Sequence, residues 1–276
     1  MKNTRPVFIL GSGRCGTYTI SKLFDGFDDI CANHEFLFEM ILESSVLHKL
    51  GLKNADSVKS LIHNTYEKEI MFSKSKLWID SSNALPWICL ILKDIFPNAK
   101  FIHLIRDGRK VVSSFYNKFP KIMYNSEHVQ KLKMWLDYPD KNIKPPPLKK
   151  YWRPLPNYGE CIVKTNAKNR FEFLCWYWAE INMQISMLKS VIDDDKFLFI
   201  KLEDLVSKQQ TFNTFLKFLG IEENSISMNI LKRPNNVVVP KDYLLTKEQR
   251  LSYNFICGEI ANNFGYEGQI EYNVRY

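Results

Sequence analysis

A glycine-rich loop between an apolar run and a helical pattern is the feature that most constrains the fold. Residues 7–10 are apolar, residues 11–17 read Gly-Ser-Gly-Arg-Cys-Gly-Thr, and residues 18–24 carry apolar side chains at helical spacing. Glycines at this junction let backbone N–H groups converge on an anion, and the helix N-terminus, Arg14 and Thr17 add positive potential and donors. The loop therefore predicts a phosphate or sulfate site, with an ordinary glycine-rich turn as the alternative.

Strand and helix patterns alternate along most of the chain. Apolar runs predict further strands at 30–32, 77–79, 100–105 and 197–200. Apolar residues at helical spacing predict helices at 85–96, 107–116, 171–192 and 211–219. A final helix is predicted to begin with a Thr246–Gln249 capping box and to end near Gly265. This order is typical of a parallel sheet covered on both faces, with ligands at the carboxyl ends of its strands. We predict an α/β fold, a P-loop-type parallel sheet flanked by helices, as one domain over residues 1–276.

Residues 117–170 interrupt the alternation. They are rich in proline and aromatic residues, and their twelve Lys and Arg against four Asp and Glu account for the whole net charge of +8. We interpret this aromatic, basic, Pro-rich segment as an insertion that forms a binding pocket or lid.

Several classes of protein are disfavoured by what the sequence lacks. It has no recognisable nucleic-acid-binding motif, and its six cysteines are scattered without a C-x-x-C pair, so neither a zinc site nor a disulfide framework is indicated. The apolar run at 7–10 is too short for a signal peptide, and the one at 85–92 is too short for a membrane span. We expect a cytoplasmic protein with no metal site, no nucleic-acid partner and no membrane span; its oligomeric state is left open.

A second anion site is indicated where the predicted strand at 100–105 ends. The strand runs into Arg106, and Ser114 follows eight residues later on the next predicted helix, so both side chains can converge on one anion. Lys118 lies one turn further on. The alternative for Arg106 and Asp107 is a surface ion pair at the start of a helix.

The glycine loop departs from the pattern that binds nucleoside triphosphates. That pattern places Lys directly before Ser or Thr, whereas here Thr17 follows Gly16 and the cation is Arg14, inside the loop. The loop instead resembles that of the sulfotransferases that use 3′-phosphoadenosine-5′-phosphosulfate (PAPS), in the branch with an Arg-Ser-Gly-Thr-Thr loop that includes tyrosylprotein sulfotransferases and many bacterial enzymes. Cys15 and Tyr18 replace the usual Ser and Thr. Further segments occur in family order outside the insertion: residues 80–82, 104–109, 202–205 and 264–266.

The resemblance implies transfer of a sulfuryl group from PAPS to a hydroxyl or amine, with adenosine 3′,5′-bisphosphate (PAP) as product and no metal required. It implies that the nucleotide is bound by three groups: Gly13, Arg14, Cys15, Gly16, Thr17 and Tyr18 around the 5′-phosphosulfate, Arg106, Ser114 and Lys118 around the 3′-phosphate, and Arg233, Asn235, Asn236 and Lys241 in a loop that closes over the nucleotide. Two positions depart from the family pattern, because Leu202 stands where Tyr commonly contacts the adenine and Asn83 stands where bacterial relatives often have Lys.

The predicted catalytic residues are Arg14, Glu35 and His34. Arg14 would stabilise charge on the leaving phosphate. Glu35 is the preferred general base, since the Arg-loop relatives have a catalytic Glu at a similar distance and a partly dry strand end raises a carboxyl pKa. His34 is the alternative base. A third interpretation is that both residues merely cap a helix that begins near Phe36.

Other interpretations stay open from the sequence. A kinase of the same fold would need magnesium and ATP, and a non-catalytic nucleotide-binding protein is the third option. Cys15 is interpreted as a small residue, with a redox-sensitive thiol as the alternative. His103 is predicted to be a core residue, and Asp80 could orient the acceptor or Arg14. The acceptor is expected to be a small molecule, such as a natural product, a lipid headgroup or a sugar.

Overall fold

A five-stranded parallel sheet forms the centre of the computed structural model. The structure describes residues 4–118, 123–138, 152–223, 225–232, 242–267 and 273–275. The strands of the sheet are β1 (Arg5–Leu10), β2 (Ile30–His34), β3 (Leu77–Ser82), β4 (Lys100–Ile105) and β5 (Phe197–Lys201), in the order β2-β3-β1-β4-β5. A short antiparallel pair joins β6 (Asp242–Leu244) to β7 (Asn273–Arg275).

The strand order reverses at β1, which pairs with β3 on one side and with β4 on the other. The chain therefore leaves β1 in one direction to build β3 and β2, and later returns to add β4 and β5. In open α/β sheets, ligands bind beyond the carboxyl ends of the strands at such a reversal point. The glycine loop follows β1 directly, so the topology places it there.

Helices cover both faces of the sheet. Their bounds are α1 (Thr17–Ser21), α2 (Phe38–Lys49), α3 (Ala55–Ile62), α4 (Lys68–Phe72), α5 (Cys89–Ile95), α6 (Gly108–Lys118), α7 (Ser126–Asp137), α8 (Arg170–Lys189), α9 (Leu202–Ser207), α10 (Gln209–Leu219) and α11 (Lys247–Asn263). Alternating residues of β1 serve the two faces: Val7 and Ile9 lie in one apolar cluster with Phe215, whereas Phe8 and Leu10 lie in another. The predicted fold class, a parallel sheet between helices, is confirmed.

The predicted elements match the observed ones most closely where local signals are strong. Thr246 and Gln249 form the capping box that opens α11, and Gly220 ends α10 in the left-handed conformation, with φ of 78°. The predicted helix at 85–96 instead begins with a 3₁₀ turn, Leu85–Ile88, which carries Pro86 in a position where a missing N–H donor is tolerated, before α5. β2 and β3 extend further than their apolar runs, to His34 and Ser82.

The described part of the insertion is folded onto the rest of the chain. It contains α7, which the sequence did not predict and which Asn125 caps by accepting a hydrogen bond from the Glu127 N–H. Further along, Trp152, Leu155 and Cys161 are buried in the apolar core. The stretch at 139–151 lies outside the described residues.

A buried ion pair holds the end of the insertion in place. Lys49, at the end of α2, contacts Glu180 of α8 at 2.8 Å, and both side chains are almost fully buried. The Glu180 carboxylate also accepts hydrogen bonds from the backbone N–H groups of Ile162 and Val163, at 3.0 and 2.7 Å. Lys49 in turn donates to Gln184. One buried carboxylate therefore links α2, α8 and the insertion.

Because Glu180 pairs with the buried Lys49 and accepts hydrogen bonds from two backbone N–H groups, we predict that Glu180→Ala lowers the free energy of unfolding by about 3–5 kcal/mol, the cost of leaving a buried charge without its partner. Urea denaturation followed by circular dichroism measures the change. Glu127→Ala, which removes an exposed carboxylate that pairs with Lys131, is the control and should leave stability nearly unchanged. A loss for Glu180→Ala no larger than that of the control would contradict this account.

In the parts of the chain that the structure describes, no helix has both the length and the apolar character needed to cross a bilayer.

Candidate active site

The glycine loop depends on left-handed backbone conformations that its residue types allow. Gly13 and Gly16 have φ of 75° and 93°. A β-carbon at Gly13 would lie 2.9 Å from the Asn83 amide nitrogen, and one at Gly16 would lie 2.7 Å from a methyl carbon of Leu202. The absence of side chains therefore lets β3, α9 and the loop approach closely. Arg14 is also left-handed, with φ of 56°.

The two predicted anion sites lie side by side. The Arg14 Nε donates to Ser114 Oγ at 2.9 Å, and Arg106 Nη1 donates to the backbone carbonyl of Arg14, also at 2.9 Å. Lys118 is close enough that burial and the charge of Arg14 lower its pKa. Residues from the β1 loop, the end of β4 and α6 thus form one cationic cluster at the carboxyl edge of the sheet.

The start of α6 explains how Arg106 is directed toward the loop. Asp107 pairs with Arg109 at 2.7 Å, and both are buried, so the proposed surface ion pair of Asp107 with Arg106 is wrong. The Trp178 indole N–H donates to the Arg106 carbonyl at 3.1 Å and fixes the backbone there. With Asp107 engaged by Arg109, the Arg106 guanidinium contacts the glycine loop.

The family-like segments at 202–205 and 264–266 meet at the same edge. The Asp107 N–H donates to Glu203 Oε1 at 3.1 Å, and the Tyr266 hydroxyl donates to Glu203 Oε2 at 2.7 Å. Burial and the Glu203 carboxylate raise the pKa of Tyr266 well above its ordinary value. Leu202 packs against Gly16. The carboxylate of Glu203 therefore connects the end of the chain's last long helix to the start of α6.

Glu35 lies directly after β2 in a left-handed conformation, with φ of 58°. Its N–H donates to the Ser81 carbonyl at 3.1 Å, and its Oε1 accepts a hydrogen bond from Asn83 Nδ2 at 3.1 Å. Because Asn83 also adjoins Gly13, the carboxyl group lies next to the glycine loop. Burial raises the pKa of Glu35, and the guanidinium of Arg153 opposes that rise.

His34 occupies the last position of β2. Its Nδ1 lies 2.9 Å from the Ser81 carbonyl oxygen, which can only accept, so the network assigns the hydrogen to Nδ1 and leaves Nε2 as the basic nitrogen of the neutral ring. Burial lowers the pKa of His34. The helix-cap interpretation of both residues is wrong, because α2 begins at Phe38, after Leu37, without a side-chain cap.

Asp80 shapes the turn that carries Glu35. It is fully buried in β3 and accepts hydrogen bonds from the Phe36 N–H at 3.2 Å and from the Tyr66 hydroxyl at 2.7 Å. Burial raises the pKa of Asp80 to about 7. The structure thus places Asp80 beneath the Glu35 turn.

The remaining predicted residues divide into three groups. Burial raises the pKa of Cys15 to about 11, which keeps the thiol protonated at neutral pH and favours its interpretation as a small residue. Thr17 is buried, and its backbone carbonyl accepts a hydrogen bond from the Ser81 hydroxyl. Tyr18 is partly exposed, and its ring centroid lies 5.4 Å from that of His34. The predicted lid residues lie outside the described residues: Arg233, Asn235, Asn236 and Lys241.

His103 is confirmed as a core residue. Its Nε2 lies 2.9 Å from the Asn182 side-chain oxygen, and burial lowers its pKa to about 4. Sequence reasoning missed Ser81 as a neighbour of Glu35, because the turn at Glu35 brings the Glu35 N–H to the Ser81 carbonyl. Among the described residues there is no group of three or more side chains that could hold a metal ion.

A glycine loop at a strand-order reversal, with two arginines close to it, is typical of α/β proteins of the P-loop type, in which such loops bind anionic ligands. Residues 6–141, just under half of the chain, match the model of the Sulfotransferase family. No curated protein matches the chain.

Solved structures of similar fold cover nearly the whole chain. The sulfotransferase domain from the curacin biosynthetic pathway is 16% identical and covers 98% of this chain and 100% of its own, with a TM-score of 0.53. The sulfotransferase domain of the Synechococcus PCC 7002 olefin synthase is 17% identical and covers 97% of each chain, with a TM-score of 0.51. The sulfotransferase from Alicyclobacillus acidocaldarius is 12% identical and covers 95% of this chain and 97% of its own, with a TM-score of 0.53.

The family match and the shared fold support the assignment of this chain to the sulfotransferase family. The match indicates a transferase and supports sulfuryl transfer as the reaction.

The raised pKa of Asp80 leads to a pH-dependent contribution to stability. A carboxyl group whose pKa is higher in the folded than in the unfolded protein stabilises the folded state when it is protonated. This stabilisation is complete below the unfolded-state pKa, about 4, and is lost as the pH rises through the folded-state pKa, about 7. Asp80→Asn mimics the protonated form, since its amide can donate to the Tyr66 oxygen while Tyr66 donates to the Phe36 carbonyl. We predict that this variant is more stable than the wild type at about pH 8, by on the order of 2–4 kcal/mol, and similar at about pH 4.

Thermal denaturation across this pH range measures the effect of Asp80→Asn. Asp56→Asn, an exposed substitution in the first turn of α3, is the matched control. A stability difference between Asp80→Asn and the wild type that does not change with pH would show that Asp80 is ionised in the folded protein throughout.

Proposed function

We propose that the protein transfers a sulfuryl group from PAPS to a hydroxyl or amine of a small-molecule acceptor and releases PAP. One observation carries the proposal: Arg14 contacts Ser114, and Arg106 contacts the loop that carries Arg14, so groups suited to two phosphates lie in one cluster. Both guanidinium groups present planar forks that match phosphate and sulfate oxygens. A nucleotide with phosphates at both its 5′ and 3′ positions satisfies such a cluster.

The residues that would hold the donor come from three elements. The backbone N–H groups of residues 13–18 and the Arg14 side chain would hold the 5′-phosphosulfate, and Arg106, Ser114 and Lys118 would hold the 3′-phosphate. Leu202, which packs against Gly16, offers an apolar surface rather than a Tyr ring near the nucleotide. The proposed closing loop, with Arg233, Asn235, Asn236 and Lys241, completes the donor site. No metal ion is part of the proposal.

The chemistry needs in-line positioning, neutralisation of the leaving phosphate and a base for the acceptor proton. Glu35 accepts the proton as the acceptor oxygen or nitrogen forms its bond to sulfur. The bond between sulfur and the bridging oxygen breaks, and Arg14 stabilises the charge that PAP takes away. Burial supports this role for Glu35, because its raised pKa makes the carboxylate a better proton acceptor. His34 is the alternative base, through Nε2.

The acceptor site would lie between the Glu35 turn and the insertion. Tyr18, Leu37 and Met40 are exposed apolar or aromatic residues close in sequence to His34 and Glu35, and they would favour an acceptor with an apolar portion. The proposal treats residues 1–276 as one sulfotransferase domain with the insertion at its acceptor side.

The cytoplasm is the compartment that fits the proposal. All six cysteines are free, which is typical of a reducing compartment.

Glu35→Gln tests the base. The substitution keeps the size of the side chain but removes the proton acceptor, so we predict unchanged PAP binding and a loss of turnover of about 10²–10⁴-fold. Transfer of labelled sulfate from PAPS into a metabolite extract measures turnover, and calorimetry measures PAP binding. Glu39→Gln, an exposed glutamate in the first turn of α2, is the control. Unchanged turnover in Glu35→Gln would exclude Glu35 as the base and favour His34, the alternative base.

Arg106→Ala tests the donor site. Loss of charge-assisted hydrogen bonds to the 3′-phosphate should weaken PAP binding by about 1.5–3 kcal/mol, or about 10- to 150-fold in Kd. Isothermal titration calorimetry without metal measures the change, and Lys217→Ala, an exposed cation on α10, is the control. Stabilisation of the wild type by ATP only in the presence of magnesium, with no response to PAP, would contradict the sulfotransferase proposal and indicate a kinase.

A further inference from the structure

The turn that carries Glu35 has a backbone conformation that its residue types disfavour. Glu35 and Leu37 are both left-handed, with φ of 58° and 49°, and neither is a glycine. A β-carbon makes this region of backbone space unfavourable, so such residues persist where surrounding contacts fix the chain. The contacts that fix this turn therefore decide where the Glu35 carboxylate lies.

Phe36, between these two residues, is held at both of its backbone polar groups by side chains. Its N–H donates to Asp80 Oδ1 at 3.2 Å, and its carbonyl oxygen lies 3.2 Å from the Tyr66 hydroxyl. The same hydroxyl donates to Asp80 Oδ2 at 2.7 Å. Asp80 and Tyr66 are both fully buried. The two side chains thus close a set of hydrogen bonds around one residue of the turn.

The Tyr66 hydroxyl has one hydrogen and two acceptors within reach. When Asp80 is ionised, the hydrogen bonds to its carboxylate, which in turn holds the Phe36 N–H. When Asp80 is protonated, it can donate to the Tyr66 oxygen while Tyr66 donates to the Phe36 carbonyl. Burial and Asp80 raise the pKa of Tyr66 well above its ordinary value, so the hydroxyl stays a donor at physiological pH. Tyr66 is therefore joined to the turn in both states of Asp80.

Aromatic packing holds the Phe36 side chain against the same neighbour. Its ring lies edge-on to those of Tyr66 and Trp78, at centroid distances of 5.2 and 5.4 Å. The rings of Tyr66 and Trp78 are themselves 5.2 Å apart. Edge-to-face pairs of this kind are favourable beyond the apolar area that they bury. Phe36, the residue next to Glu35, is thus fixed through its side chain as well as its backbone.

The segment that supplies Tyr66 is itself irregular. Residues His63–Glu67 form a π-helical turn between α3 and α4. Single π-helical turns within helices are rare and occur frequently at functional sites. The neighbouring Thr65 hydroxyl donates at 2.7 Å to the Leu61 carbonyl of the preceding helix, whereas the Tyr66 hydroxyl reaches Phe36, thirty residues earlier in the chain. Tyr66 therefore connects the π-helical turn to the turn at Glu35.

The other contacts of Glu35 come from β3 and the residue after it. The Glu35 N–H donates to the Ser81 carbonyl at 3.1 Å, and Asn83 Nδ2 donates to Glu35 Oε1 at 3.1 Å. Asn83 adjoins Gly13 of the glycine loop. A shift of Phe36 would change the distance between the Glu35 carboxyl group and that loop. Proton transfer by a base depends on this kind of distance.

We infer that Tyr66 is a positioning residue, which acts through Asp80 and Phe36 to hold Glu35 at the distance and orientation that proton transfer needs. The inference rests on the proposed function, since it assigns Tyr66 through its effect on the proposed base. In this role Tyr66 does not contact the reacting atoms. It contributes by fixing the backbone from which the Glu35 side chain extends.

Tyr66→Phe tests this inference, because it keeps the ring and removes the hydroxyl. We predict that transfer of labelled sulfate from PAPS into a metabolite extract falls about 10- to 100-fold, the effect of a small displacement of a reacting group. The Kd for PAP, measured by calorimetry, should stay unchanged. Native-state hydrogen exchange followed by NMR should be faster at the amides of residues 35 and 36 and unchanged in α10.

Two sets of variants separate this role from a general structural one. Thr65→Val removes a hydroxyl from the neighbouring residue of the same π-helical turn, and it should leave both sulfate transfer and exchange at the Glu35 turn unchanged. Asp80→Asn keeps an acceptor for the Phe36 N–H, so it should retain more sulfate transfer than Asp80→Ala. The two Asp80 variants carry the test if Tyr66→Phe does not fold.

Sulfate transfer at the wild-type rate by folded Tyr66→Phe would overturn the inference, and so would equal losses in Asp80→Asn and Asp80→Ala. Faster exchange throughout the fold, with activity lost only in proportion to the unfolded fraction, would also overturn it, because that result indicates a role in stability alone. Failure of the wild type to bind PAP would instead contradict the proposed function, whatever the exchange at residues 35 and 36 shows.

Discussion

Two arginines that are always charged are held within one cluster, and this arrangement is the constraint on which the site depends. Guanidinium groups stay protonated at physiological pH and repel each other, so their positions must be fixed by other contacts. Ser114 and the carbonyl of Arg14 supply those contacts directly. Behind them, the carboxylate of Asp107 is paired with Arg109, and both side chains are buried. An anionic donor is the complement of such a surface.

The carboxyl groups of Asp80 and Glu35 are held in the site by burial and hydrogen bonds rather than by ion pairs alone. Asp80 supports the Glu35 turn through the Phe36 N–H, and Asn83 connects the Glu35 carboxylate to the glycine loop. Glu35 and Arg14 are therefore joined through a few rigid contacts at the ends of β1, β2 and β3. In-line group transfer needs this kind of fixed separation between base and leaving-group stabiliser.

The sequence predicts the sheet and the cationic half of the site well because both rest on local patterns. The glycine loop, Arg106 at a strand end and Ser114 eight residues later are local signals, and the topology of a parallel sheet brings them to one edge. The surroundings of Glu35 could not be predicted, since Ser81 and Asn83 contact it from β3 and its end, far along the chain from β2. Helix α7 was missed for a related reason: its apolar positions lie among prolines and aromatic residues typical of irregular structure.

The most direct test of the central claim is a crystal structure of the protein with PAP. The account predicts the 3′-phosphate between Arg106 and Ser114, the 5′-phosphate on the backbone of the glycine loop, and the Glu35 carboxylate facing the position where sulfur would be attached. Density for the nucleotide elsewhere on the protein, or with its 3′-phosphate remote from Arg106, would contradict the view that these two arginines form a single donor site.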